Sequence, residues 1–152
     1  MRARSRTQTQ NPDADLSTLD FLSWARYELS REATLKIRIT GHSMNPTLVD
    51  TETVIIEQIT ANEINAGDIV LYASLNETAV IQRVLRIEED SYGPVMITRG
   101  DACEFDNVPV PSIRVLGRVT GVERDGVVVP LNQPRLNWWQ RLLIWLGLKD
   151  QP

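Results

Sequence analysis

Ser43 lies two residues after Gly41 and three before Pro46, in the octet GHSMNPTL (residues 41–48), beside the chain's one histidine, His42. A serine hydroxyl becomes a useful nucleophile only when a base takes its proton. A constrained Gly-x-Ser turn at a strand end can expose that hydroxyl and aim backbone N–H groups at an oxyanion. The octet therefore offers acyl-transfer chemistry; a plain surface turn is its other reading. Few residues could supply the base. The only lysines are Lys36 and Lys149, and every other cation is an arginine, which keeps its proton at neutral pH. Lys36 is seven residues upstream, too far along the incoming strand, and Lys149 is in the tail. Neighbouring side chains on extended backbone point to opposite faces, so His42 is expected to face away from Ser43.

Cys103 is the only cysteine, so no intrachain disulfide framework exists. It has no histidine or second cysteine nearby and reads as an incidental loop thiol. The local sequence shows no set of metal ligands, and no metal or other cofactor is expected. Net charge is -4, which gives no reason to invoke nucleic acid.

These residues need elements to hold them. Residues 1–15 are polar and read as a disordered tail. Ser17 to Asp20 resembles a capping box with Ser17 as N-cap. Leu19, Leu22, Ala25 and Leu29 then fall near one face of a helix over about 17–32. Strands are expected at 35–40, 53–59, 68–75, 78–87, 94–100, 115–123 and 126–131, from β-branched or alternating apolar runs. Asp125-Gly126 between two apolar runs is a hairpin signal. Seven short strands suggest a sandwich or a partly closed barrel. The organisation is a tail (1–15), a β domain with a leading helix (16–131) and a C-terminal amphipathic helix (132–152).

Four segments in order resemble the signal peptidase I and LexA-type serine peptidase family: GHSMNPTL, INAGDIVLY, AVIQRVL and ITRGDACEFD, followed by VLGRV. The resemblance runs from about Lys36 to about Val122. It implies a mainly β fold: a coiled, partly closed antiparallel structure, here with one N-terminal helix and one Trp-rich C-terminal helix. It implies cleavage of peptide bonds, in exported precursors or in the protein itself. Ser43 matches the nucleophile, and its own N–H would help form the oxyanion hole. Met44 and Pro46 match residues that shape the loop. Arg83 matches the arginine after the base, and Asp101 the orienting aspartate of the Gly-Asp box. Asp106 lies where the histidine-type branch carries a further acid.

The departure is at the base. Gln82 stands where the family has lysine or histidine. A glutamine amide accepts a hydrogen bond but holds no proton. Losing one member of a catalytic serine set typically leaves only ~10³–10⁴-fold catalysis over water. The reading is a family member that acts on or binds extended peptide with its base lost or unusual. The alternative is an active serine endopeptidase using another base and cleaving a precursor or itself. Asp50-Thr51-Glu52 also departs from the Gly-Asp that the family usually carries in the turn after the nucleophile loop.

The tail LNWWQRLLIWLGLKD holds three of the four tryptophans. Trp138, Leu142, Trp145 and Lys149 share one helical face, and Trp139, Leu143 and Leu146 the next. Two readings stay open: a helix packed on the barrel, or one lying in a membrane interface with Arg135, Arg141 and Lys149 toward anionic headgroups. No apolar run approaches the ~20 residues that span a bilayer. The expected setting is cytoplasmic, with contact at the inner membrane face through this tail. The expected partner is a peptide or protein, not nucleic acid. A single helix before the first strand is too little for a helix-turn-helix.

Overall fold

The run IVLYA (Ile69–Ala73, strand β3) is buried at every residue, so it faces core on both sides. Ile69, Leu71 and Ala73 join one apolar cluster, and Val70 and Tyr72 join a second. A strand in the middle of a curled sheet needs such an unbroken apolar run. The computed structural model describes residues 18–131 and 146–147. The expected disordered tail, the Ser17 cap and the expected Trp-rich helix lie outside the described residues.

Around β3 the described chain is mainly β, with one helix. Helix α1 (Thr18–Glu32) is followed by β1 (Thr34–Arg38), β2 (Thr53–Gln58), β3, β4 (Ala79–Asp90), β5 (Gly93–Arg99), β6 (Val110–Pro111), β7 (Val115–Arg124) and β8 (Val127–Pro130). Three-residue 3₁₀ turns sit at Ala61–Glu63 and Ser112–Arg114. The strands form one antiparallel sheet in the order β1-β2-β7-β3-β4-β5-β6, with β8 on β7. This corrects the sandwich alternative: there is one sheet, curled on itself. Register shifts at Ile55/Ile56, Leu71/Tyr72 and Val84/Arg86 mark where it bends, since a bulge increases local twist.

All seven expected strands are present within a few residues of their expected ends. β6 was not expected. It is two residues long, follows Pro109 and is set by pairing with Val95 and Met96. The Asp-Gly hairpin is present: Arg124 pairs with Val127, and Asp125 (φ 52) and Gly126 (φ 74) both take positive φ, as a type I′ turn demands.

In α1, Leu22, Ala25 and Leu29 are buried in the first cluster, with Phe21 and Trp24 packed against it. Leu19 departs from the expected face and is 58% exposed. Ala33 ends the helix at φ 60, its N–H donating to the Leu29 carbonyl at 3.0 Å. This is a left-handed cap, which turns the chain into β1.

Candidate active site

The Ser43 loop is a stalked turn between β1 and β2. Its neck is closed by Ile39 N–H to the Glu52 carbonyl and Thr51 N–H to the Ile39 carbonyl, each at 2.9 Å. Gly41 N–H donates to Asp50 Oδ1 at 2.8 Å. Met44 and Leu48 are driven into the first cluster at 4% and 1% exposure. With these two side chains as anchors, His42, Ser43 and Pro46 remain exposed. Apolar burial thus fixes the loop and leaves its hydroxyl at the surface.

A second loop, after β5, braces the first. Ala102 N–H donates to the Ser43 carbonyl at 2.9 Å. A Cβ at Gly100 would collide with that same carbonyl oxygen and with Cys103 Sγ, so only glycine lets the two loops touch. Asp101 accepts Arg83 Nε and Nη2, both at 2.8 Å, and Thr47 Oγ1 at 2.5 Å. Arg83 also donates to the Gly67 carbonyl at 2.8 Å. Its hydrogen bond to Asp101 raises the guanidinium pKa further above its usual value. The segments GHSMNPTL, NAGD, QRV and RGDA therefore converge through backbone contacts and one two-point ion pair.

Gln82 is buried at 8% exposure on β4, on the side of the second cluster. Its Oε1 accepts from Asn107 Nδ2 and lies 3.3 Å from Tyr72 Oη and 3.2 Å from Thr98 Oγ1, one of which donates to it. Tyr72 Oη and Thr98 Oγ1 are also bonded to each other at 3.0 Å. One step past the last β4–β5 pair, Arg83↔Arg99, Gln82 falls opposite Gly100. Side chains alternate along a strand, so a Gly100 Cβ would point to the side of Thr98, whose hydroxyl bonds Gln82. Since that Cβ would meet the Ser43 carbonyl, the Ser43 main chain and the Gln82 amide share a face of the β4–β5 ribbon. Among the described residues, no hydrogen bond joins the Ser43 hydroxyl to Gln82 or to any other side chain.

Other cations are committed elsewhere. Lys36 Nζ pairs with Glu123 Oε1 at 2.9 Å. Asp106 accepts Arg99 Nε at 2.8 Å and Nη2 at 2.5 Å, and Arg86 Nη1 at 3.4 Å. Its carboxyl is held below the usual aspartate value, chiefly by the hydrogen bond from Arg99. Asp106, in the loop after β5, thus sits between Arg99 of β5 and Arg86 of β4. His42 forms no ion pair or hydrogen bond through its side chain among the described residues. Cys103 is exposed, with Sγ 4.0 Å from the Ser43 carbonyl. No metal-ligand cluster occurs among the described residues.

Sequence reasoning did not pick out three contributors. Arg124 bonds the Thr47 carbonyl at 2.9 Å and Glu52 at 2.6 Å, holding the loop from β7. Glu52 also accepts Val49 N–H at 2.9 Å. Asn107, in the post-β5 loop, closes the polar cluster over Gln82. The only sequence signal for these was proximity to the recognised segments.

No helix among the described residues is long and apolar enough to cross a membrane. The family model described as Peptidase S24-like matches residues 6–120. No curated protein matches the chain.

Proposed function

The chain belongs to the Peptidase S24-like family, and from that premise we propose that it binds extended peptide at the Ser43 loop without cleaving it. The family is one of serine peptidase-type hydrolases. The observation that carries the reading is Gln82 at the base position, with its acceptor oxygen already taken by Tyr72, Thr98 and Asn107. Among the described residues, the one lysine, Lys36, is paired with Glu123, and Arg83 is paired with Asp101.

An open strand edge supports peptide as the ligand. Residues Ala79 to Gln82 pair with β3 on one side, while pairing with β5 begins only at Arg83. On the other flank, among the described residues, β1 pairs with β2 alone and leads into the Ser43 loop. A peptide added as a strand to such an edge is held by main-chain hydrogen bonds.

Incubating the purified chain with a mixture of unstructured decapeptides, followed by mass spectrometry, tests this. Peptides should co-purify intact. Fragments that appear with the wild type and vanish with Ser43→Ala would establish the active-endopeptidase alternative instead.

A further inference from the structure

Gln82 has one side-chain acceptor and one donor group, and the cluster around it uses only the acceptor. Asn107 Nδ2 and one of the two mutually bonded hydroxyls, Tyr72 or Thr98, donate to Oε1. An amide is planar, so fixing Oε1 inward turns Nε2 the other way. Nε2 has no partner among the described residues. It is also absent from the sealed polar atoms that lack a partner, which are Asn45 Oδ1, Ser112 Oγ and Arg118 Nε. Nε2 therefore keeps contact with solvent although the residue is 8% exposed. The Ser43 main chain lies on the same face of the β4–β5 ribbon as the Gln82 side chain.

Asn107, with Nδ2 turned inward, matches this orientation. Tyr72 and Thr98 present hydroxyls, which can donate or accept and so fit either amide face. Asn107 presents Nδ2, which only donates, to Oε1. Its position is set by its own backbone, whose N–H bonds the Thr98 carbonyl at 2.8 Å.

We propose that Asn107 is a positioning residue that locks the Gln82 amide with its NH₂ outward, so that position 82 donates a hydrogen bond to a main-chain carbonyl of a bound peptide. The site thereby binds by donation where a peptidase of this family would abstract a proton. The peptide ligand rests on the function proposed above; the amide orientation does not.

The test uses two readouts on the intact chain. In the free protein, the Gln82 side-chain ¹⁵NH₂ signals are measured with a soluble paramagnetic gadolinium chelate. Wild-type signals should broaden. In Asn107→Asp the carboxylate should draw the NH₂ inward and protect it, with folding checked by the rest of the spectrum. Wild-type signals that stay sharp overturn the orientation, whether or not any peptide binds. Separately, decapeptides selected on wild-type protein by phage display should lose about tenfold in affinity for Asn107→Asp and Gln82→Glu, the scale of one lost hydrogen bond with a group left unpaired. Gln82→Glu keeps the inward acceptor and replaces only the donor. Equal affinity for these variants overturns the donor role. Broadened signals with no peptide selected overturn the peptide as ligand while leaving the orientation in place.

Discussion

Arg83 and Asp101 meet at two points, Nε on Oδ1 and Nη2 on Oδ2, each at 2.8 Å, with side chains only 16% and 17% exposed. The same carboxylate accepts the Thr47 hydroxyl, so the pair ties β4 to the Ser43 loop. Replacing Arg83 by methionine leaves a largely buried carboxylate short of its main partner. The expected loss is about 2 kcal/mol, below the ~3–5 kcal/mol of a fully buried pair because some solvent reaches it. Urea unfolding measures it; a midpoint equal to wild type would contradict the bracing role.

Gly100→Ala should disturb the site more specifically. The added methyl would meet the Ser43 carbonyl and Cys103 Sγ, and the backbone side of that contact cannot rotate away. Overpacking of this kind costs roughly 1–3 kcal/mol. The Ser43 and Ala102 amide signals should shift in a ¹⁵N spectrum, with those of α1 unmoved.

Thr51 occupies left-handed backbone at φ 71, where a β-branched residue is strained. This is in the turn where the family usually has Gly-Asp. Thr51→Gly should relieve strain and stabilise the fold by about 1 kcal/mol, less the extra entropy of glycine in the unfolded chain. A fall in thermal midpoint would contradict the strain.

Much of this was legible in the sequence, and the reasons for the rest are physical. Strands such as TVIIEQ and GVVVP announce themselves by composition, and Asp125-Gly126 by turn chemistry. Their order in the sheet does not, because β7 meets β2 and β3 through pairings far apart in sequence. Ser43 and Gln82 were found through ordered segments. The partners of Gln82 were not. Tyr72 sits in an unbroken apolar run, Thr98 inside another strand and Asn107 in a loop. Only the folded register brings the three hydroxyl and amide groups onto one oxygen. Leu19 shows the limit of periodicity: its spacing fits the helix face, yet it is exposed.

Acid should loosen the loop through Glu52. Its pKa lies below the ordinary 4.5, first because Arg124 hydrogen-bonds it and then through Val49 N–H, against the opposing effect of burial. Asp106 and Glu63 are lowered in the same direction. The unfolded chain therefore binds more protons, so this stabilisation is complete above pH 4.5 and is lost as pH falls through the folded values. Glu52→Gln should be less stable at pH 7 and show a flatter acid limb. Parallel acid limbs for the two proteins would contradict the assignment.

The claim that Ser43 faces no working base is tested most directly by a serine-reactive fluorophosphonate, with adducts located by peptide mass spectrometry. In Gln82→Lys, the amine would be flanked by Tyr72 and Thr98 in a mostly buried site. Desolvation there favours the neutral amine, which can take the Ser43 proton. The expected result is no adduct on wild-type Ser43 and a clear adduct on Ser43 of Gln82→Lys. Stoichiometric labelling of Ser43 in the wild type would contradict the account.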